Sequence, residues 1–454
     1  MKFKHIFTLL IAMAFFRPGF GQSAPDAIRI LQDESGMGAR ALGMGGAFTG
    51  VADDYTAIYW NPAGLADIRK SQFFGEVSHL QFNNDATFNG RLTDESQNYT
   101  RLRSLGFAFP LPTTRGSFVI ALGYNRVKDF DQQLVFSGFN NRSNGLAFTI
   151  DSTDFDFGGN TFQSEQILED GGLNQWSVAA AIALSPNFTA GVTLNAWTGN
   201  SDYQFQFFQE DRENVYNQFP ADFDSYLLKR NLNTDYTAVG VKIGGMFTVS
   251  DAIKIGGTMS LPVTFNVKEV FTEEDKLTFD DGFEDAFNGD PGEFEYDVKT
   301  PFQFDGGASL SNQTITLAGS FRYRDWSQIK FDVANNDLGN SDFVELLDEN
   351  AVIRQNYRAT MQYNLGGELY LSGINAKLRG GYSYVPSPLK DAPTDLNKTF
   401  ISGGIGFILD RFVSLDVTYL RGSWKRESED EFTPGGTFED ITTNKVLVGL
   451  SYRF

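Results

Sequence analysis

From Gln72 to the end of the chain, large apolar residues recur at every second position. In SFVIALGYN, Phe118, Ile120, Leu122 and Tyr124 share one face, while Val119, Ala121, Gly123 and Asn125 share the other. Successive side chains of a β-strand point to opposite faces, so this period reads as strand, and its repetition reads as sheet. Further along, the second face becomes charged. Ile315, Leu317, Phe321 and Tyr323 oppose Arg322 and Arg324, and Leu378, Tyr382 and Tyr384 oppose Lys377 and Arg379. The pattern predicts fourteen strands, at 72–83, 101–110, 117–128, 174–184, 188–208, 234–249, 252–268, 295–310, 314–328, 354–363, 371–386, 398–409, 412–425 and 440–454. Short turns alternate with long polar connections between them. An even strand number, short turns on one side and long loops on the other describe a transmembrane β-barrel. A water-soluble sandwich has no reason to keep that asymmetry around the whole chain.

A bilayer also explains the composition. Every strand carries an apolar face, yet mean hydropathy is only −0.26 because the opposite face is small, polar or charged. No later segment approaches 18 continuous apolar residues, so membrane-spanning helices are not expected. Closing a sheet on itself satisfies its backbone hydrogen bonds within lipid. Alternation then turns Lys254, Arg322, Arg324, Lys377 and Arg379 toward the lumen, since a base on the lipid face at mid-membrane costs about 2–4 kcal/mol. The last strand ends on Phe454, with Val446, Val448, Leu450 and Tyr452 on the same face. This ending resembles the C-terminal targeting strand of Gram-negative outer-membrane proteins, and it implies the barrel-assembly machinery as a partner. The first 21 residues read as a signal peptide. Lys2, Lys4 and His5 precede an apolar run, and Gly19 and Gly21 precede a cleavage position at Gln22.

The chain has no cysteine, and processing would leave His79 as its only histidine. Thiolate chemistry, disulfides and a serine–histidine pair therefore have little to work with. The net charge of −20 and the acidic stretch from Glu269 to Asp297 disfavour nucleic acid, which needs a basic track. No enzyme activity, cofactor or metal site is expected. Two loop segments, Pro220 to Arg230 and Asn340 to Ile353, space their apolar residues three or four apart and predict short helices.

Residues 22–70, ahead of the first strand, are too few and too glycine-rich for a core of their own. They contain ALGMGGAFTGVADDYTAIYWNPAGLA, from Ala41 to Ala66. Gly43, Gly45 and Gly46 match neither GxGxxG after a strand nor GxxxxGK[ST], so phosphate binding is not indicated. A barrel of fourteen strands has a lumen wide enough to need filling. A compact plug built from Gly38, Gly43, Gly45, Gly46 and Phe48, handed to the wall by a turn at Asn61-Pro62-Ala63, would fill it. The domain plan is thus a signal peptide at 1–21, a hatch at 22–70 and a barrel at 71–454.

The Gly38–Phe48 stretch, the step Ala52-Asp53-Asp54 and Asn61-Pro62-Ala63-Gly64 before the first strand resemble the N-terminal hatch of the FadL/TodX family. With the strand count and the terminal Phe454, the resemblance covers the whole mature chain. It implies a monomeric outer-membrane barrel of a Gram-negative bacterium for hydrophobic compounds such as long-chain fatty acids. In such a barrel a ligand is captured by extracellular loops, touches the hatch, and leaves through a lateral opening in the wall. The loops so implied, at 209–233 and 269–294, offer Phe219, Phe223, Leu227, Leu228, Phe271, Phe279 and Phe283. These residues would form a capture surface or pack the loops together. Arg322, Arg324, Lys377 and Arg379 would meet a ligand head group or pair with lumen acids such as Asp53, Asp54 and Asp416. Outer-membrane lipid and lipopolysaccharide would surround the barrel. The hatch also resembles that of a related Bacteroidetes type IX secretion barrel that shuttles cargo proteins, so transport of small molecules and shuttling of proteins both stand.

Overall fold

The computed structural model describes residues 22–32, 36–150, 152–220, 222–334, 340 and 343–454. The expected signal peptide lies outside them. Fourteen antiparallel strands form one closed wall. They are β1 (Gln72–Phe88), β2 (Arg91–Leu111), β3 (Phe118–Asp129, continued by Gln132–Asn140), β4 (Thr161–Ser185), β5 (Phe188–Glu210) and β6 (Phe223–Ser250). Next come β7 (Ile253–Ser260 and Thr264–Phe279), β8 (Gly292–Lys299 and Gln303–Ser311) and β9 (Ile315–Asp325 and Lys330–Asp332). The circuit ends with β10 (Ala359–Leu371), β11 (Ala376–Val385), β12 (Lys398–Ile408), β13 (Val413–Ser428) and β14 (Thr437–Arg453). Closure is made by β1 on β14, in register from Gln72↔Arg453 to Phe88↔Thr437.

Alternation governs which way each side chain faces. Trp176, Val178, Leu194, Leu317, Leu365 and Ile401 stand exposed on the outside, whereas Ala179, Thr193, Asp305, Asn364 and Arg379 are buried inside. The outward apolar residues form the band that lipid solvates, and the inward polar residues are satisfied within the lumen. Tyr363, Tyr382, Trp176, Phe109, Tyr452 and Phe454 are exposed aromatic residues of this outer face.

Several expectations need correction. The polar stretch 84–100 is not a loop. β1 and β2 run straight through it and turn at Asn89-Gly90, where φ is 46° and 81°. Both residues have the positive φ of a tight hairpin, a turn for which Asn-Gly is the preferred sequence. The expected turn at 364–370 lies inside β10, whose Gly366-Gly367 pair serves close packing instead of chain reversal. The helix expected over Pro220–Arg230 is absent. Its described part from Phe223 onward is strand β6, paired with β5 on one side and β7 on the other. Apolar residues at 223, 226, 227 and 228 fit helical spacing, but two neighbouring strands decide the outcome. The helix expected within 340–353 does form, over Val344–Asn356.

Strands β7 and β8 are each interrupted once, at Pro262 and Pro301. Proline cannot donate to a ladder, and the two breaks face each other across Val263 and Thr300, which exchange backbone and side-chain hydrogen bonds.

Candidate functional site

The N-terminal segment folds into three short helices, α1 (Ala24–Arg29), α2 (Ala39–Gly43) and α3 (Ala57–Trp60), followed by a 3₁₀ turn over Pro62–Asp67. It lies inside the barrel. Its backbone carbonyls accept hydrogen bonds from inward hydroxyls around much of the wall. Ser117 Oγ donates to Ala66 O (2.6 Å), Thr193 Oγ1 to Ile58 O (3.1 Å), Ser309 Oγ to Gly50 O (2.9 Å) and Thr418 Oγ1 to Ala39 O (2.6 Å). Short helices leave many carbonyls without internal partners, and the wall supplies them. Met37, Met44, Phe48 and Ile58 are fully buried in this packing.

The expected plug residues occupy distinct posts. Gly38, at φ 91°, starts α2, and its N–H together with that of Ala39 points at the Glu76 carboxylate of β1. Gly43 rests on Thr418 and Arg379. Gly45, at φ 63°, presses against the backbone of β10 and β11 beside Gly366 and Gly381. Gly46 and Phe48 pack on Trp60. Asn61 is fully buried and joins three pieces of chain, donating to Thr49 O and to Gly245 O of β6 (3.1 Å each) while accepting from Ala63 N (3.1 Å). Pro62 and Ala63 lie against Gly191 and Gly244.

A buried ionic cluster pins this segment to the wall. Arg40 of α2 pairs with Asp53, with Asp54 (3.1 Å) and with Glu368 of β10 (3.0 Å). Glu368 also takes Lys377 (2.8 Å) and Arg379 (2.8 Å), and Arg379 reaches Asp416 (2.6 Å). Lys377 and Arg379 are thus lumen bases paired with lumen acids. Arg322 pairs with Asp305 (2.6 Å), while Arg324 donates to Leu31 O (2.9 Å) and to Gln303. Of the four expected lumen bases, Arg322 and Arg324 line the large cavity and Lys377 and Arg379 do not.

That cavity holds about 530 Å³, within the usual size range of small-molecule pockets. Leu42, Gly45, Gly46 and Trp60 close its floor, and Ile28 and Leu31 of the α1 region form one side. Phe82, Trp326, Phe400, Leu420, Trp424 and Ile441 give it an apolar, partly aromatic surface, and charged residues such as Glu169, Lys398, Arg426 and Lys445 share the lining. At one side it reaches Lys128, Asp129, Phe130 and Asp131, where β3 breaks.

The break changes the wall. Pairing of β2 with β3 runs from Leu111↔Phe118 to Ser104↔Asn125 and stops there. Beyond Asp129 the chain steps inward, and Gln132–Asn140 pairs with β4 alone. Its other flank lies over the inner face of β1. Asn84 Nδ2 donates to Gln133 O (3.0 Å), and the rings of Phe88 and Phe136 meet at 4.8 Å. Among the described residues, the outer half of β2, Arg91–Arg103, therefore has a strand partner on its β1 side only. The alternation pattern ends the third strand at 128, beside Asp129-Phe130-Asp131, but gave no sign that Gln132–Asn140 resumes it against β4. Arg29, Arg40, Trp60, Trp326 and Trp424 are further site residues that the sequence reading missed.

The expected capture residues divide. Phe223, Leu228 and Phe279 are buried, together with Phe148, Phe157, Phe207 and Phe432, in an aromatic cluster that ties the outer loops together. Leu227 and Phe271 are half-buried. Phe219, 85% exposed, and Phe283 present their rings to the medium. Beside the cluster, Asp275 of β7 is buried with Oδ1 unpartnered among the described residues. It pairs with Leu228, far beyond Val239, an exposed apolar residue of β6 in the lipid-facing band. Burial, reinforced by the Glu273 and Asp285 carboxylates, pushes Asp275 up to about 6.

Residues 148–454 match the family model described as outer membrane protein transport protein (OMPP1/FadL/TodX). No curated protein matches the chain. Among solved structures, the toluene transporter TodX of P. putida superposes with a TM-score of 0.60 at 14% identity, covering 93% of this chain and 99% of TodX. A FadL homologue of Pseudomonas aeruginosa gives 0.56 at 14% identity over 92% and 98%. The CymD monoaromatic hydrocarbon channel gives 0.55 at 12% over 93% and 98%. Identities this low carry the fold, and the family rests on the match to its model. This chain belongs to the OMPP1/FadL/TodX family of outer-membrane transport proteins, a family of transport channels and not of enzymes.

Proposed function

We propose that the protein takes up hydrophobic small molecules passively, by capture at the outer loops, passage into the lumen cavity beside α1, and sideways exit between β2 and β3. The observation that carries this reading is the cavity itself. Its floor is closed by the pinned N-terminal segment, and its side reaches the place where the β2–β3 ladder ends. A molecule inside meets the N-terminal segment and the end of the β2–β3 ladder, and in this reading it leaves toward the lipid. In this reading residues 22–70 act as a hatch whose core, from Gly38 to Ile68, stays seated. The α1 region, packed through Ala24, Ala27, Ile28 and Ile30 and tied by Arg29 to Glu169, moves when ligand arrives. Phe219 and Phe283, exposed at the outer end, are the first apolar surfaces a ligand meets.

The partly aromatic lining suits flat or extended apolar compounds, from monoaromatic hydrocarbons of the kind named for TodX and CymD to long-chain fatty acids. Bases in the lining, Arg324 and Lys128 among them, admit a carboxylate head group without requiring one. The protein acts as a monomer embedded in outer-membrane lipid and lipopolysaccharide, assembled by the barrel-assembly machinery through its terminal strand.

Cells with and without the protein, given labelled toluene and labelled oleate in parallel, test the reading. Faster uptake of either is expected. A protein cargo recovered with the barrel, with both uptake rates unchanged, overturns it in favour of a shuttle.

A further inference from the structure

The connection between β13 and β14, residues 429–436, is not a free loop. It reaches across the inside of the mouth to β5 and β6, strands well round the wall from its own two. Phe432 is buried, with its ring on Phe207 (5.2 Å) and Phe205 (5.8 Å) of β5. Arg230 of β6 lies over the same ring at 5.0 Å and pairs with Glu431 (3.3 Å). Asn144 Nδ2 donates to Phe432 O (3.0 Å), and Asn140 Nδ2 donates to Pro434 O (3.1 Å). Residues 429–436 thus form a strap tied down at its centre.

Under the strap lies a buried acid. Glu165 of β4 is the ladder partner of Phe207 and is 3% exposed. Its Oε2 has no hydrogen-bond partner among the described residues. Facing it are the Asp430 carboxylate and the Thr433 hydroxyl. Asp430 Oδ1 accepts from the Phe432 and Thr433 amides and from Thr433 Oγ1, each at 2.8 Å, so this acid also shapes the turn that seats Phe432. Glu439 of β14 and Tyr203 of β5 are the other titratable neighbours. Arg426 of β13 directs Nε (2.9 Å) and Nη2 (2.7 Å) at Glu439 and Nη1 at Gln132 (2.8 Å). Glu165, Phe207, Leu228 and Asp275 are successive cross-strand partners, so a buried acid borders the aromatic cluster on each side.

Two facing carboxylates in a buried place repel when both are ionised, and a low dielectric magnifies the repulsion. Burial, reinforced by Asp430, holds the Glu165 carboxyl well above the ordinary glutamate value of 4.5. A proton on Glu165 converts the repulsion into a hydrogen bond donated to Asp430.

We propose that Glu165 and Asp430 share one proton, and that this proton is the catch of a strap over the outer mouth. The strap is held down while the proton is bound and is released when both acids ionise. The closed strap binds the proton more tightly than the open one. Closure is therefore fully favoured below 4.5 and weakens as pH rises above it, by about tenfold per pH unit while the proton is being lost. The catch acts at the outer end and does not depend on where a ligand leaves the barrel.

Hydrogen exchange on the full-length barrel in detergent reads the strap directly. The Phe432 and Thr433 amides donate to Asp430, and the Gly436 amide donates to Thr433 O (3.0 Å). Their protection factors, corrected for the intrinsic effect of pH, are expected to fall by about tenfold or more from pH 5 to pH 8, with β10 unchanged. Glu165→Gln keeps the shape and supplies an N–H for Asp430, and it is expected to remove most of that fall. Asp430→Asn, read in the same way, serves if Glu165→Gln does not fold, with folding of both checked by heat-modifiability on gels. Equal protection of the unsubstituted strap at both pH values overturns the proposal. So does a full fall retained in the folded variant, which places the titrating group elsewhere. Protection at pH 8 that MgCl2 restores and EDTA removes also overturns it, because the pair then holds a cation in place of a shared proton.

Discussion

Gly45 shows how one residue can carry a global constraint. Its φ of 63° is unfavourable for any side chain, and a Cβ there would lie 2.6 Å from Tyr382 N and 2.8 Å from Leu365 O. Both atoms are wall backbone and have no rotamer to retreat into. Gly45→Ala therefore combines a left-handed penalty of about 1–2 kcal/mol with a clash that unseats α2. A lower melting temperature and new channel openings in planar bilayers are expected, and an unchanged trace would remove the close-packing argument. Asp275 sets a pH dependence at the outer end. Its folded value of about 6 lies above the ordinary aspartate value of 3.8, so between those limits the folded chain holds a proton that the unfolded chain has lost. Stability of the loop cluster thus falls as pH rises through this window, and the penalty is complete above it. Loop proteolysis should be slower at pH 5 than at pH 7.5, and Asp275→Asn should flatten the difference.

At the scale of elements, two devices fasten the N-terminal segment. The turn at Asn61 makes two side-chain donations and one acceptance, all buried. Asn61→Ala leaves Thr49 O, Gly245 O and Ala63 N without those partners, at about 1–3 kcal/mol for each group left unsatisfied. A melting shift larger than that of an exposed Asn→Ala change, such as Asn217→Ala, is the expected measurement. Arg40 is the second fastening, because three carboxylates converge on it. Arg40→Met would leave Glu368 shared by Lys377 and Arg379 only, and breaking a buried pair in this way costs about 3–5 kcal/mol. The strand elements themselves were legible from alternation, and so was the helix at Val344–Asn356. Phe223–Arg230 was misread because its apolar spacing fits both periods, and β5 and β7 on either side make it a strand.

For the whole molecule, the plug and the wall are separable in principle. The wall closes through β1 and β14 without help from residues 22–60. Deleting those residues should leave a folded, heat-modifiable barrel that conducts ions freely. Conductance equal to that of the intact chain would show that the segment seals nothing. The ionic cluster around Arg40 and the hydroxyl contacts from several strands also make wholesale ejection of the segment costly. That favours local movement near α1 over removal of the plug.

The sequence by itself determined the barrel, its orientation of faces and the presence of a glycine-rich filler. These follow from a period of two, from the length of turns and from a segment too short and too glycine-rich to fold alone, all local properties. Tertiary structure decided what depends on neighbours distant in sequence. Gly366-Gly367 reads as a turn until the Met44–Gly45 backbone is found against it. Arg379 reads as either a ligand base or a partner of lumen acids until Glu368 and Asp416 close on it. Phe223 reads as either a capture residue or a loop-packing one until Phe157 stacks on it at 4.6 Å. The inward step at Phe130-Asp131 breaks no local rule strongly enough to be seen. There Gln132–Asn140 pairs with β4 and rests against β1 and β2 without joining β2's ladder, a choice among distant partners that no single strand encodes.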